Sequence, residues 1–185
     1  MNTSLLSDRL WPASGASFAR NVVLAVLGSA LVAVAAQVNV PMFPVPMTLQ
    51  SLAVLLIGAA YGARLGAATL ALYALEGAMG LPVFAGFTSG FMLASFGYIL
   101  GFIVAAYVVG WLAERGWDRS PVKMFAAMLL AAAVLYVPGL IWLSAWIGTE
   151  KAIQFGLLPF IPGDLVKAAV AALGFPAAWA LLGRR

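Results

Sequence analysis

Residues 93–114 read LASFGYILGFIVAAYVVGWLAE, and their sole charge is the last residue, Glu114. As a helix the segment rises about 33 Å, which matches the roughly 30 Å hydrocarbon core of a bilayer. Its apolar residues go all the way round, so no face is left for water. The segment therefore reads as a membrane crossing. Working outward, apolar runs broken by turn residues and charges recur at roughly 20–38, 48–62, 65–80, 122–147 and 162–182. With 64% hydrophobic and 9% charged residues, the chain falls far below the roughly 25% charged content of a soluble domain. The expected fold is an all-α integral membrane protein of six transmembrane helices. A cytoplasmic N-terminal segment, 1–19, precedes a single membrane domain, 20–185.

The runs at 48–62 and 65–80 are short, about 22 Å each against the 30 Å core, so both are expected to sit partly inside the bundle. Pro41, Pro44 and Pro46 prevent a helix between the first two runs. The stretch from Gly77 to Gly90 is also irregular, and its backbone groups need protein or water beside them. In this layout Arg9, Arg20, Arg64, Arg115, Arg119, Lys123, Arg184 and Arg185 fall on one side and Lys151 on the other. Positive charge marks the cytoplasmic side, which puts both termini in the cytoplasm and the two irregular loops outside, in the inner (plasma) membrane of a cell. A rival reading, a signal peptide cleaved near Ala33-Val34-Ala35, would spoil this charge pattern.

Charges inside a membrane cost at least roughly 2.5–3.5 kcal/mol near its centre, so they face cavities or partners. Glu76, Asp164 and Lys167 are the candidates. Asp164 and Lys167 stand three apart on one helix face, as a self-neutralising pair or as a solute site. Gln50, Glu76, Tyr73, Ser95 and Tyr98 gather with them in the outer half, and Phe84, Trp142 and Phe160 are among the aromatics that could line a pocket there. Ala25, Ser29 and Ala33, at spacing four, could admit a partner helix or pack within the bundle.

Other classes are excluded by what the sequence lacks. There is no Gly-Lys pair, hence no phosphate-binding loop for ATP. No His or Cys is present for zinc, a disulfide or a Ser–His nucleophile, no cofactor is implied, and the acids are too scattered for metal-assisted phosphotransfer. The net charge of +4 is explained by topology, with no basic and aromatic run for nucleic acid.

The segment Gly156-Leu157-Leu158-Pro159-Phe160-Ile161-Pro162-Gly163-Asp164-Leu165-Val166-Lys167 closely resembles the BioY family, the biotin-binding S components of energy-coupling factor transporters. Val45-Pro46-Met47-Thr48-Leu49-Gln50, Gly58-Ala59-Ala60-Tyr61-Gly62, Gly80-Leu81-Pro82-Val83-Phe84-Ala85, Gly97-Tyr98-Ile99-Leu100-Gly101-Phe102 and Gly139-Leu140-Ile141-Trp142-Leu143 extend the resemblance over nearly the whole chain. It implies a six-helix S-component bundle that captures biotin outside and releases it inside. The implied partners are the bilayer, a transmembrane coupling protein and an ATPase pair, or further copies of the chain. The expected ligand residues are Asp164, Lys167, Gln50, Tyr98, Glu76, Phe84 and Trp142. Asp164 would accept ureido N–H bonds, Gln50 could both donate and accept, and Lys167 would meet the ureido oxygen or the carboxylate. The chain departs from the family at Gly86-Phe87, where paired glycines are usual, at Leu93–Phe96 and at Glu76. The alternatives are an ion-coupled carrier using Glu76, or a membrane enzyme.

Overall fold

The computed structural model describes residues 5–11 and 17–182. A short helix α1 (Leu6–Leu10) precedes α2 (Ser17–Gln37). The proline-rich stretch then turns back on itself as a two-stranded ribbon, β1 (Asn39–Val40) and β2 (Met47–Thr48), with Asn39 opposite Thr48. There follow α3 (Gln50–Tyr61), α4 (Ala63–Ala78), α5 (Phe96–Ala113), α6 (Pro121–Ile147), α7 (Thr149–Gly156) and α8 (Ile161–Leu182). Three-residue 3₁₀ turns lie at Ala85–Phe87, Trp117–Arg119 and Leu158–Phe160.

Four segments among the described residues are long and apolar enough to cross a membrane: Phe18–Gln37, Phe96–Ala113, Pro121–Ile147 and Thr149–Leu181. Their outward residues are apolar, as lipid requires, with Val26, Leu27, Val137, Ile141, Val170 and Leu173 all exposed. The shorter α3 and α4 lie deeper. Seven of the 12 residues of α3 are buried, including its first, Gln50.

Glycines set how closely the helices approach. Gly62 links α3 to α4 with φ +84°, a left-handed conformation that a side chain would strain. A Cβ on Gly58 would lie 2.6 Å from the carbonyl oxygen of Ala106, so the absence of a side chain lets α3 seat against α5. That contact fixes the rotation of α3 and hence the direction in which Gln50 faces.

Two segments differ from expectation. The 148–161 stretch, expected as a loop, is mostly α7, which starts after Gly148 and closes under the 3₁₀ turn at Pro159. Helix α2 begins at Ser17, inside the segment expected to precede the membrane domain. It packs along α4, and Gln37 at its end donates from Nε2 to the carbonyl of Phe84. Arg184 and Arg185 lie outside the described residues.

Candidate functional site

The site is built from the starts of α3, α5 and α8 and the middle of α6. Pro162 stands in the first turn of α8, where its missing amide costs nothing, and the helix then presents Asp164 and Lys167 one turn apart. Their ion pair measures 3.4 Å, with the side chains 14% and 12% exposed. The pair does not stand alone. Lys167 Nζ also donates to Ser51 Oγ at 2.8 Å and to the Thr48 carbonyl at 3.0 Å, which uses all three ammonium protons. The Tyr136 hydroxyl donates to the other carboxylate oxygen of Asp164. One carboxylate thus ties α8 to α6, and one ammonium ties α8 to the β2–α3 corner.

Around this network lies a cavity lined by Gln50, Ser51, Phe84, Ser95, Tyr98, Phe102, Leu135, Tyr136, Phe160, Asp164 and Lys167, with Val45 and Pro46 from the ribbon corner. Its free space for water centres is about 60 Å³, room for a few waters. The walls are aromatic. Tyr98 and Tyr136 meet edge to face at 6.1 Å and 87°, and Phe160 continues the row 6.5 Å from Tyr136.

The hydrogen-bond inventory shows what such a cavity can hold. Tyr98 spends its proton on the Gly156 carbonyl at 2.9 Å, and Gln50 donates from Nε2 to Tyr73 Oη at 2.6 Å. Tyr73 in turn donates to the Val83 carbonyl at 2.8 Å. Gln50 Oε1 accepts nothing among the described residues, and Asp164 keeps about two of its roughly four acceptor positions. Acceptors aimed into an apolar cavity suit a ligand with N–H donors and a flat or bicyclic apolar body.

Loops close the outer edge. Gln37 holds the 82–90 loop from α2, donating to the Phe84 carbonyl at 3.0 Å and accepting from the Phe87 amide at 3.2 Å. The departure at Phe87 has a backbone counterpart, since Gly86 and Phe87 take φ +68° and +57°. Left-handed backbone with a side chain costs roughly 1–2 kcal/mol, a strain that paired glycines would avoid.

The expected ligand residues divide in two. Gln50, Phe84, Tyr98, Asp164 and Lys167 line the cavity. Glu76 does not: its carboxylate accepts from the hydroxyl of Ser29 on α2, away from the lining. Trp142 meets Phe96 at 5.7 Å with the rings tilted by 59° and donates to the Leu93 carbonyl at 2.9 Å, bracing α6 against the loop before α5. Ser29 is fully buried in that contact with Glu76, and Ala25 and Ala33 are half-buried beside it, so this stripe packs within the bundle and its central residue is closed to a partner helix. Tyr136 and Ser51 were missed. The signal for Tyr136 was a lone hydroxyl in mid-helix beside Pro138, since a buried phenol needs a partner.

A model of the BioY family matches residues 2–184. The probable biotin transporter BioY of Pyrococcus horikoshii is 39% identical over 158 residues, covering 84% of this chain and 93% of that one. The biotin transporter BioY of Thermotoga maritima is 38% identical over 158 residues, 83% and 92% of the two chains. The crystal structure of the S-component for biotin from an ECF-type ABC transporter superposes with a TM-score of 0.75 over 89% of this chain and 93% of that chain, at 21% identity, and so shares the fold. A family match that runs nearly end to end, together with relatives of this identity over most of both chains, establishes that the chain belongs to the BioY family.

Proposed function

We propose that this chain is the biotin-capturing membrane subunit of an uptake system and not an enzyme. The observation that carries the reading is the Asp164 carboxylate, held between Tyr136 and Lys167 in a cavity walled by Tyr98, Phe84 and Phe160. In this reading the ureido N–H groups of biotin donate to the open acceptor positions of Asp164 and Gln50. The ring system packs on the tyrosines, and Lys167 gives up the Thr48 carbonyl or Ser51 to meet the ureido oxygen or the valerate. With room for a few waters as it stands, the cavity must widen to admit the ligand, and the 41–46 corner and the 82–90 loop are walls that lie outside the α-helices.

The same reading makes α3 and α4 the fifth and sixth crossings. Both termini lie in the cytoplasm and the cavity opens outward, supported by Arg20, Arg64 and Arg115 sharing the end of the bundle away from Asp164. With no phosphate-binding loop of its own, the chain would deliver biotin through a transmembrane coupling protein and an ATPase pair, or through further copies of itself. An ion-coupled carrier loses its best acid, because Glu76 is directed at Ser29 and not at the cavity. Calorimetry of the detergent-purified chain with biotin, without ATP or metal, tests the reading. Saturable, biotin-selective heat is expected. A folded sample with no heat and no retained radiolabelled biotin overturns it.

A further inference from the structure

A second cavity lies at the opposite end of the bundle, and biotin capture makes no use of it. It is open, about 610 Å³, and lined by Arg20 and Asn21 at the start of α2, Tyr61 and Arg64 at the α3–α4 turn, Tyr107, Trp111, Glu114 and Arg115 at the end of α5, and Ser7 and Asp8 of α1. Three arginines face two acids there, so the cavity carries one net positive charge.

The acids are engaged, and each of the three bases keeps guanidinium donors without a partner among the described residues. Asp8 accepts from Arg20 at 3.0 Å, and Glu114 accepts the Ala63 amide at 2.8 Å. Arg20 is 91% buried, yet its Nε has no hydrogen-bond partner among the described residues. The same holds for the guanidinium of Arg64, which is exposed and has no partner among the described residues. Arg115 lies flat on the Trp111 ring, 3.4 Å from its centroid, and donates from NH1 to the Trp111 carbonyl, which leaves donors of its fork open. Open guanidinium donors around a polar cavity are the chemistry that holds a phosphate.

The membrane side of the cavity decides which phosphate. Leu100, Val104, Tyr107 and Trp111 follow one another at spacings of four, three and four on α5 and are all exposed, 38–48%. They form one apolar stripe that runs along α5 to the cavity rim, ending in the Tyr and Trp typical of the interface. A soluble anion has no use for such a stripe, whereas an acyl chain does.

We propose that this cavity binds the phosphodiester headgroup of an anionic phospholipid, with Arg20, Arg64 and Arg115 on the phosphate and an acyl chain along Leu100–Trp111. The proposal is independent of biotin binding. Native mass spectrometry of the delipidated full chain in detergent tests it, with phosphatidylglycerol, phosphatidylcholine or inorganic phosphate as probe. One tightly retained phosphatidylglycerol is expected, with its apparent affinity lowered about tenfold or more in Arg64→Gln/Arg115→Gln. Lys123→Gln, which removes an exposed charge outside the cavity, should leave it unchanged. Should the double variant fail to fold, Arg64→Gln alone, which breaks no hydrogen bond among the described residues, should still weaken retention measurably. Equal retention by wild type and Arg64→Gln, an equal loss in Lys123→Gln, or no preference for phosphatidylglycerol over phosphatidylcholine would overturn the proposal. So would inorganic phosphate displacing the lipid at equal concentration, which would make the site one for a soluble anion.

Discussion

Asp164→Asn is the sharpest probe of the outer cavity, because it keeps the shape and changes the chemistry at one atom. The carboxylate offers about four acceptor positions, of which Lys167 and Tyr136 occupy one on each oxygen. That leaves about two for ureido N–H groups. Asparagine retains one acceptor oxygen and puts an NH₂ where the other stood, so at least one charge-assisted bond, roughly 1.5–3 kcal/mol, becomes a clash of two donors. Biotin affinity should fall by about 10- to 150-fold, read by calorimetry in detergent. Lys167 keeps Ser51 and Thr48 as partners, so the fold should survive, and thermal unfolding without biotin checks this. The double variant Asp164→Asn/Lys167→Gln separates ligand from brace: it leaves no unpaired charge, so a merely structural pair would tolerate it. Biotin binding within about threefold of wild type in that variant would refute the assignment of both residues as ligands.

Three further outcomes are expected. Tyr136→Phe keeps the ring wall but removes the donor that orients Asp164, and should weaken biotin binding by about 1 kcal/mol, or fivefold, with little change in melting temperature; unchanged calorimetric affinity would contradict that role. Asp118, in the 117–119 turn, is buried, and desolvation holds its carboxyl above the ordinary range despite the 2.5 Å bond from the Trp179 indole. A folded pKa above the unfolded one means stability is greatest when the group is protonated and is lost as pH rises through the raised value. Asp118→Asn, which keeps an acceptor for Trp179, should therefore melt higher than wild type at neutral pH, with the gap closing on acidification; a gap independent of pH would contradict this. A topology reporter fused after Arg185 should read as cytoplasmic and one inserted near Thr149 as external, and the reverse pattern would turn the cavity to the other side.

The long crossings were legible because nothing in lipid competes with the helix for backbone hydrogen bonds, so an apolar run such as 93–114 has one outcome. Aqueous segments lack that constraint. Residues 148–161 were read as loop because they lie between the apolar runs 122–147 and 162–182, yet Thr149–Gly156 is helical, its Ala152 fully buried and Gly156 offering its carbonyl to Tyr98. A short helix outside the apolar runs is held there by tertiary contact, which hydropathy does not record. Asp164 and Lys167 were legible for a different reason: a charge in a membrane must be explained, and there were few to explain.

That same rule accounts for the placement of Glu76 and the omission of Tyr136. Cost in lipid identifies a polar group that needs a partner but does not say whether the partner is a ligand or the protein. Glu76 found Ser29, 47 positions away on the neighbouring helix, a pairing that depends on the rotation of α2 against α4. Neither apolar run fixes that angle, since nearly uniform hydrophobicity carries no record of which face turns inward. Tyr136 drew less notice because a neutral phenol costs less in lipid than a charge, yet through Asp164 it couples α6 to α8 across the cavity. What distinguishes a candidate binding group from a brace is therefore whether its unused hydrogen-bonding positions lie at the cavity. Asp164 and Gln50 have such positions at the cavity lining, Glu76 lies off that lining and accepts from Ser29, and Lys167 can take part only by exchanging a bond it already has.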